Sequence, residues 1–538
     1  MPLQSALDAL KNKDFTAARD LIARIDAATY GEPHFLIKGL AELALQDWDA
    51  ANATFAAATE RFPDHAAFWL NRGITQENLG QTDAAIASEE RCLALNPAQA
   101  EAFGNLSNLY RKKKRFSEAE TMARHALANG AHSGEAYNCL GLALGKQGKF
   151  KDADVALRQA QQRAPDNPDI LSNRANLAVD QLHFDEAWAL FAAARAMTDK
   201  AVYRHDESLA RLLSGDYDLG WKLFEARLEM PNALRVKPQS PLWNGENLAG
   251  KKLLILAEQG FGDVIQFSRY QEFLLEGSLI WAVPKPLVRL LSRTLHGQVL
   301  CETAPLPDCD YYIPIMSLPL ITGHLQPEKR WDSISAEDND GDHSVSLEDQ
   351  QKFLDGLVAD AANDNQTSRS VSSTVSNKDK LSLFTQPTLP KGTHALKIGL
   401  VWAGSPTHER DHERSLPLAT LSPIFTAVAA DFYAPFTGDA LSQIGSFPVT
   451  RLDHIMSDFA DTAALLNQMD CIITVDTAVA HLAGILGIKT FLLLPYCPDW
   501  RWGTSGNTTP WYPSITLLRQ PHHGDWENVI ARLTKLIK

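Results

Sequence analysis

Cysteine is scarce: six residues in 538, at Cys92, Cys139, Cys301, Cys309, Cys471 and Cys497, with no C-x-x-C pair among them. Thiols so widely spaced supply neither a disulfide framework nor a zinc site, and they read as small buried residues of a reducing compartment. Positive charge is also in deficit, with 51 Lys plus Arg against 65 Asp plus Glu and a formal net charge of −14. Nucleic-acid binding needs a positive surface that releases counterions, so DNA and RNA are excluded as main partners. One phosphate-binding pocket is not excluded, because net charge does not describe a single pocket. No apolar run approaches the ~20 residues that span a bilayer. The opening MPLQSALDALKNKDF lacks the basic start and apolar core of a secretory signal. The expectation is a cytoplasmic protein with no membrane span. What is present, 45% hydrophobic and 22% charged residues, is ordinary globular composition. At roughly 150 residues per domain the length predicts three or four domains.

The first half carries a repeat. Alanine recurs at Ala51, Ala85, Ala119, Ala153 and Ala187, each step being 34 residues. A large apolar residue lies 16 positions earlier, at Phe35, Trp69, Phe103, Tyr137 and Leu171, and a small residue follows at Gly39, Gly73, Ser107, Gly141 and Ala175. Proline closes three units, at Pro63, Pro97 and Pro165. A partial unit precedes, with Phe15 and Ala18 in phase, and a degraded one follows, with Trp221 in the alanine phase. The period and pattern resemble the tetratricopeptide repeat, a helix-turn-helix unit whose stacked copies share one core. Residues 1–230 are therefore expected to be an α-solenoid that binds protein on its concave face. Asn71, Asn105 and Asn173 share one repeat position, while Asn108 and Asn176 share another that also faces the concave side. A carboxamide offers one acceptor and two donors, so these five either grip an extended peptide backbone or tie neighbouring repeats together. The arrangement resembles the asparagine ladder of O-GlcNAc transferases, which implies the former.

After Pro241 the period changes to strands alternating with helices, the pattern of parallel sheets. KKLLILA, SLIWAV, QVLC and YYIPI read as strands of one lobe, residues 240–334. KIGLVWA, CIITVD and KTFLLLP read as strands of a second, residues 394–538, closed by a helix in DWENVIARLTKLIK. Residues 335–393 differ in composition: Ala336 to Asn365 holds nine acids and one lysine, and a Ser/Asn-rich run follows. That segment reads as an interlobe linker with a disordered core and at most one helix, in LEDQQKFLDGLVADA. The D-x-D at 338–340 is a solvated loop rather than a metal site.

Ligands of such sheets bind beyond the carboxyl ends of the strands, and two loops lie there. In Gln259-Gly260-Phe261-Gly262-Asp263 the glycines allow close backbone approach. Asp263 sits at a helix start, where it either caps free N–H groups or serves as a general base. In Asp476-Thr477-Ala478-Val479-Ala480-His481 a strand runs into a helix whose free N–H groups suit a diphosphate. Thr477 can donate to it, and His481 either donates as well or packs as a structural histidine. His408 and His412 with nearby acids superficially suggest a metal, but the stretch has turn composition, and no metal is expected. Arg414 reads as a phosphate clamp.

EQGFGDVIQFSRY, GLVWAGSP, Arg414-Ser415, DFADTAALL, VDTAVAHLAG, PDWRW, WYPS and LLRQ occur in this order. Together with the repeats they resemble bacterial tetratricopeptide-fused glycosyltransferases related to ADP-heptosyltransferases, of glycosyltransferase family 9-like type. The resemblance implies a two-lobed GT-B fold after the solenoid and a metal-independent enzyme. A nucleotide-sugar would be its co-substrate, with no further cofactor. Asp263 falls on the base. The donor would be held by Gln259, Gly260, Gly262, Trp402, Gly404, Arg414, Asp476, Thr477, Ala478 and His481. Relatives tend to carry a Leu-Gln-Lys-Gly-like turn where this chain has Ala434-Pro435-Phe436-Thr437-Gly438. Three functions follow: transfer of a sugar to a protein hydroxyl, with flagellin the first acceptor to consider; a scaffold that binds nucleotide without turnover; and a heptosyltransferase acting on a glycolipid.

Overall fold

The computed structural model describes residues 2–231, 233–274, 276–326 and 387–537. The chain divides into two compact units, Met1–Asp199 and Lys200–Lys538.

The first unit is all helical. Pro2–Lys11 and Phe15–Ala23 are followed by five pairs, from Glu32–Ala44 with Trp48–Arg61 to Pro168–Asp180 with Phe184–Met197. All five recurring alanines have zero exposure, because each lies where helices meet and a larger side chain would push them apart. The small residues do the same from the facing helix. A Cβ at Gly73 would lie 2.5 Å from Glu89 Oε1, and one at Gly141 would lie 2.6 Å from Leu157 Cγ. The turn within each pair needs one left-handed residue. Gln46, Gly80, Lys114, Gly148 and Leu182 fill that position, 34 residues apart, with φ between 57° and 74°. Only two of the five are glycine, so the turn left no glycine pattern to read in the sequence.

The helical pairing expected to residue 230 continues past the first unit. Helices Ala201–Ser214 and Tyr217–Phe224 pair as a repeat would, yet they belong to the second unit. The cause is Trp221 in place of the alanine. Its fully buried ring packs edge-on against Phe267 and Trp500, and its indole Nε1 donates to Leu325 O at 2.7 Å.

The second unit contains two parallel sheets. The first comprises β1 (Lys252–Leu256), β2 (Ser278–Val283), β3 (Gln298–Cys301) and β4 (Tyr311–Pro314), in the order β3-β2-β1-β4. The second comprises β5 (Leu396–Val401), β6 (Ala430–Ala434), β7 (Val449–Arg451), β8 (Cys471–Val475), β9 (Thr490–Leu494) and β10 (Ile515–Arg519), ordered β10-β9-β8-β5-β6-β7. Near-continuous apolar strands such as β8 and β9 are buried at every residue, as parallel strands covered on both faces should be. In each sheet the order of successive strands reverses beside the first strand, between β1 and β4 and between β5 and β8, while all strands stay parallel. The helix expected to start at Asp263 opens two residues earlier and is short: an α-helix, Phe261–Phe267, tightens into a 3₁₀ turn, Ser268–Phe273. The expected linker lies outside the described residues up to 386, as do its helix and the D-x-D at 338–340. Its last residues, from Pro387, carry no regular structure.

Candidate functional site

The loops after β1, β5 and β8 converge on one cleft of about 1520 Å³ within the second unit. Gln259, Gly260, Gly262, Asp263, Gly404, Arg414, Asp476, Thr477, Ala478 and His481 all line it. So do Asp499 and Arg501, to which the sequence reading gave no role.

The β1 loop is pinned from below. Arg227, buried, forks onto Glu258 with Nε and Nη2 at 2.9 and 2.7 Å, and Glu258 also accepts from Met316 N at 2.9 Å. The next residue, Gln259, is non-glycine at φ 60° and exposed to the cleft, a strained conformation that this fixed neighbour enforces. Asp263 is the third residue of helix Phe261–Phe267, and Gly260 N donates to its Oδ2 at 2.8 Å. Its Oδ1 accepts from Arg501 Nη2 across the cleft. Burial lifts the Asp263 pKa above the usual carboxylate range, and Arg501 opposes that lift.

Gly262 has a different purpose from the one the sequence suggests. A Cβ there would lie 2.7 Å from His481 Cδ2 and 3.6 Å from Ala478 Cα, so the glycine admits the facing helix rather than a ligand. His481, 5% exposed, is packed accordingly. Its Nδ1 pairs with Tyr512 Oη at 2.8 Å and its ring stacks on Trp502. Burial, reinforced by Arg501, pushes its pKa down to about 3, so the ring is neutral.

On the other wall, Thr477 begins helix Ala478–Ile485 without a side-chain cap, its hydroxyl lying 3.2 Å from Thr474 Oγ1. The first turn therefore keeps free N–H groups beside the cleft. Gly404 makes room for Arg414, since a Cβ would lie 2.7 Å from Nη2. Gly404 N donates to Ser415 Oγ (2.9 Å), which donates to Asp411 Oδ1 (2.8 Å), and Arg414 Nε reaches the same oxygen at 3.4 Å. Asp476, 9% exposed, is pushed up to about 6 by burial and by the charge of Asp499. Asp499 is held below its usual range: Arg501 overcomes the cost of burying it.

Trp402 is a correction. It has no exposure and does not line the cleft, because it continues the alternation of Ile398 and Leu400 into the core, where Phe436 meets it edge-on. Val401, Ala403 and Gly404 face the cleft instead. The divergent turn, Pro435 to Gly438, is part of the cleft wall.

The solenoid asparagines are engaged within the first unit. Asn71 Nδ2 donates to Ala67 O at 2.7 Å, Asn105 to Glu89 Oε1 at 2.9 Å and Asn173 to Asn138 Oδ1 at 2.9 Å. Asn108 accepts from Cys139 Sγ at 3.4 Å, and Asn176 is half-buried. The bonds of Asn105, Asn108 and Asn173 join neighbouring helices, and each carboxamide keeps part of its hydrogen-bonding capacity. No helix among the described residues is long and apolar enough to cross a membrane.

Three tetratricopeptide-repeat family models match residues 38–100, 99–128 and 134–167. The N-terminal unit is a tetratricopeptide-repeat solenoid. Across both units the chain is similar to Protein FlbA of Caulobacter vibrioides, 24% identical over 531 residues, which cover 91% of this chain and 82% of FlbA. Among solved structures it is similar to a tetratricopeptide-repeat protein from Parabacteroides merdae. That match has 15% identity and a TM-score of 0.38, covering 43% of this chain and 91% of the other. A second such protein, from Thermus thermophilus, has 24% identity and a TM-score of 0.29, covering 37% and 100%.

Proposed function

We propose that the chain is a GT-B-type glycosyltransferase that moves a sugar from a nucleotide-sugar to a hydroxyl of a protein held by the solenoid. The observation that carries this reading is the opposition of two chemistries in one cleft. An uncapped helix N-terminus with Arg414 on one wall suits a diphosphate, and a partly buried carboxylate, Asp263, stands on the other. The acceptor oxygen attacks the anomeric carbon while the bond from that carbon to the diphosphate oxygen breaks. The nucleoside diphosphate leaves with the electron pair, and the acceptor proton passes to Asp263. Helix N–H groups and Arg414 take up the charge that develops on the leaving group, a role that needs no metal. Acceptor capture is assigned to the solenoid, with Asn71, Asn105, Asn108, Asn173 and Asn176 as candidate contacts to the acceptor backbone. A flagellin acceptor belongs to this reading through the resemblance alone, and a cytoplasmic location through the scattered cysteines.

The test is intact-protein mass spectrometry of a co-expressed acceptor. Asp263→Asn should abolish the added sugar mass while leaving folding and acceptor binding unchanged, and full transfer by that variant would remove Asp263 as the base. A scaffold without turnover is the second reading, favoured by the engagement of both Asp263 oxygens with Arg501 and Gly260. Nucleotide binding without transfer to any acceptor would decide for it.

A further inference from the structure

Arg501 is the most heavily engaged cation of the cleft. Its side chain is 7% exposed, and its plane lies over the Trp500 ring at 4.3 Å. Nε donates to Gln266 Oε1 at 2.5 Å, Nη1 to Asp499 Oδ1 at 2.9 Å, and Nη2 to Asp263. A guanidinium has five N–H groups, so two remain uncommitted among the described contacts. The Gln266 and Asp499 bonds and the Trp500 ring fix its position, and the Asp263 bond alone ties it to the reacting carboxylate. The surroundings are unfavourable to an arriving anion. Seven carboxylates line the cleft (Asp263, Glu302, Asp411, Asp439, Asp458, Asp476 and Asp499) against four cations, Arg235, Lys285, Arg414 and Arg501, while His481 is neutral. A diphosphate brings further negative charge among these acids, and Arg501, the cation that could join Arg414 in answering it, is held by two of them, Asp499 and Asp263.

We propose that Arg501 is a diphosphate-binding residue held in reserve by Asp263. The incoming nucleoside diphosphate draws Nη2 off the carboxylate, and only then does Asp263 have an oxygen free to receive the acceptor proton. This rests on the glycosyltransferase reading and deepens it: donor binding arms the base, so a cleft without donor does not activate an acceptor. The exchange is favourable because a guanidinium forks onto two phosphate oxygens, whereas here a single nitrogen meets the carboxylate.

The competition is measurable without turnover. Isothermal titration of ADP, UDP and inorganic pyrophosphate into the full-length chain should show Asp263→Asn binding about tenfold more tightly than wild type, the worth of one charge-assisted hydrogen bond no longer broken. In Arg501→Gln the same Asp263→Asn change should bring no gain, and in Arg501→Lys a partial one, with thermal melts confirming that each variant folds. No gain from Asp263→Asn overturns the proposal. So does a gain that persists in Asp263→Asn/Arg501→Gln, because it would then come from lost repulsion alone. Failure of all three probes to bind wild type and every variant would sink the nucleotide-sugar reading and this inference with it, whereas binding without the Arg501-dependent gain sinks the inference only.

Discussion

Glu89 has zero exposure in the solenoid, lodged against Gly73, where no side chain competes for its space. One carboxyl oxygen accepts from Asn105 Nδ2 at 2.9 Å, and among the described residues the other has no partner. Burial raises the pKa from 4.5 to about 9, with Asn105 opposing and Glu101 and Glu77 adding to the rise. Between these two values the folded chain holds one proton more than the unfolded chain. The stability this group contributes is therefore complete below pH 4.5 and falls as pH rises, by about 1.4 kcal/mol per unit, until pH 9. Glu89→Gln mimics the protonated acid and removes the dependence. The variant should match wild type near pH 4.5 and exceed it by ~3 kcal/mol at pH 7, an order-of-magnitude figure from the same slope. Urea unfolding of both proteins between pH 5 and 8, following the solenoid transition, isolates the term because every other titrating group is common to the pair. A variant less stable than wild type at pH 7, or a difference that does not grow with pH, would refute the idea that this carboxyl is neutral in the fold.

Regular features were legible where one physical cause left one residue type. The five alanines reported helix contacts, and apolar runs such as CIITV and TFLLL reported strands buried on both faces. The left-handed turn position was not legible, since Gln46, Lys114 and Leu182 tolerate it without glycine. In the cleft the loops were found but several roles were not. Trp402 stood two residues before Gly404 in one motif, and only the strand alternation that sends Trp402 inward with Ile398 and Leu400, before the chain turns into the loop, separates the two. Gly262 suggested a ligand because chain order hides His481, more than two hundred positions away. Arg501 was visible in PDWRW, yet its partners Asp263 and Gln266 come from the other sheet's first helix, a pairing that no local spacing records.

One further substitution and one titration probe that cross-cleft packing. Gly262→Ala puts a Cβ 2.7 Å from His481 Cδ2, and since both helices are fixed the overpacking should cost roughly 1–3 kcal/mol, read as a lower melting temperature. An unchanged melt would mean the helices can part at that point. His481 supplies the acid-side counterpart of Glu89. Its folded pKa, about 3, lies below the ordinary 6.5, so between these values the unfolded chain binds the extra proton. Its contribution is complete above pH 6.5 and is lost as pH falls, by about 1.4 kcal/mol per unit. The direct measurement is the ring-nitrogen NMR shift of His481, which should report a neutral imidazole at pH 5, where exposed histidines are protonated. A ring that titrates near 6.5 would place it in water, and an open His481 would then be free to meet a ligand instead of holding Tyr512.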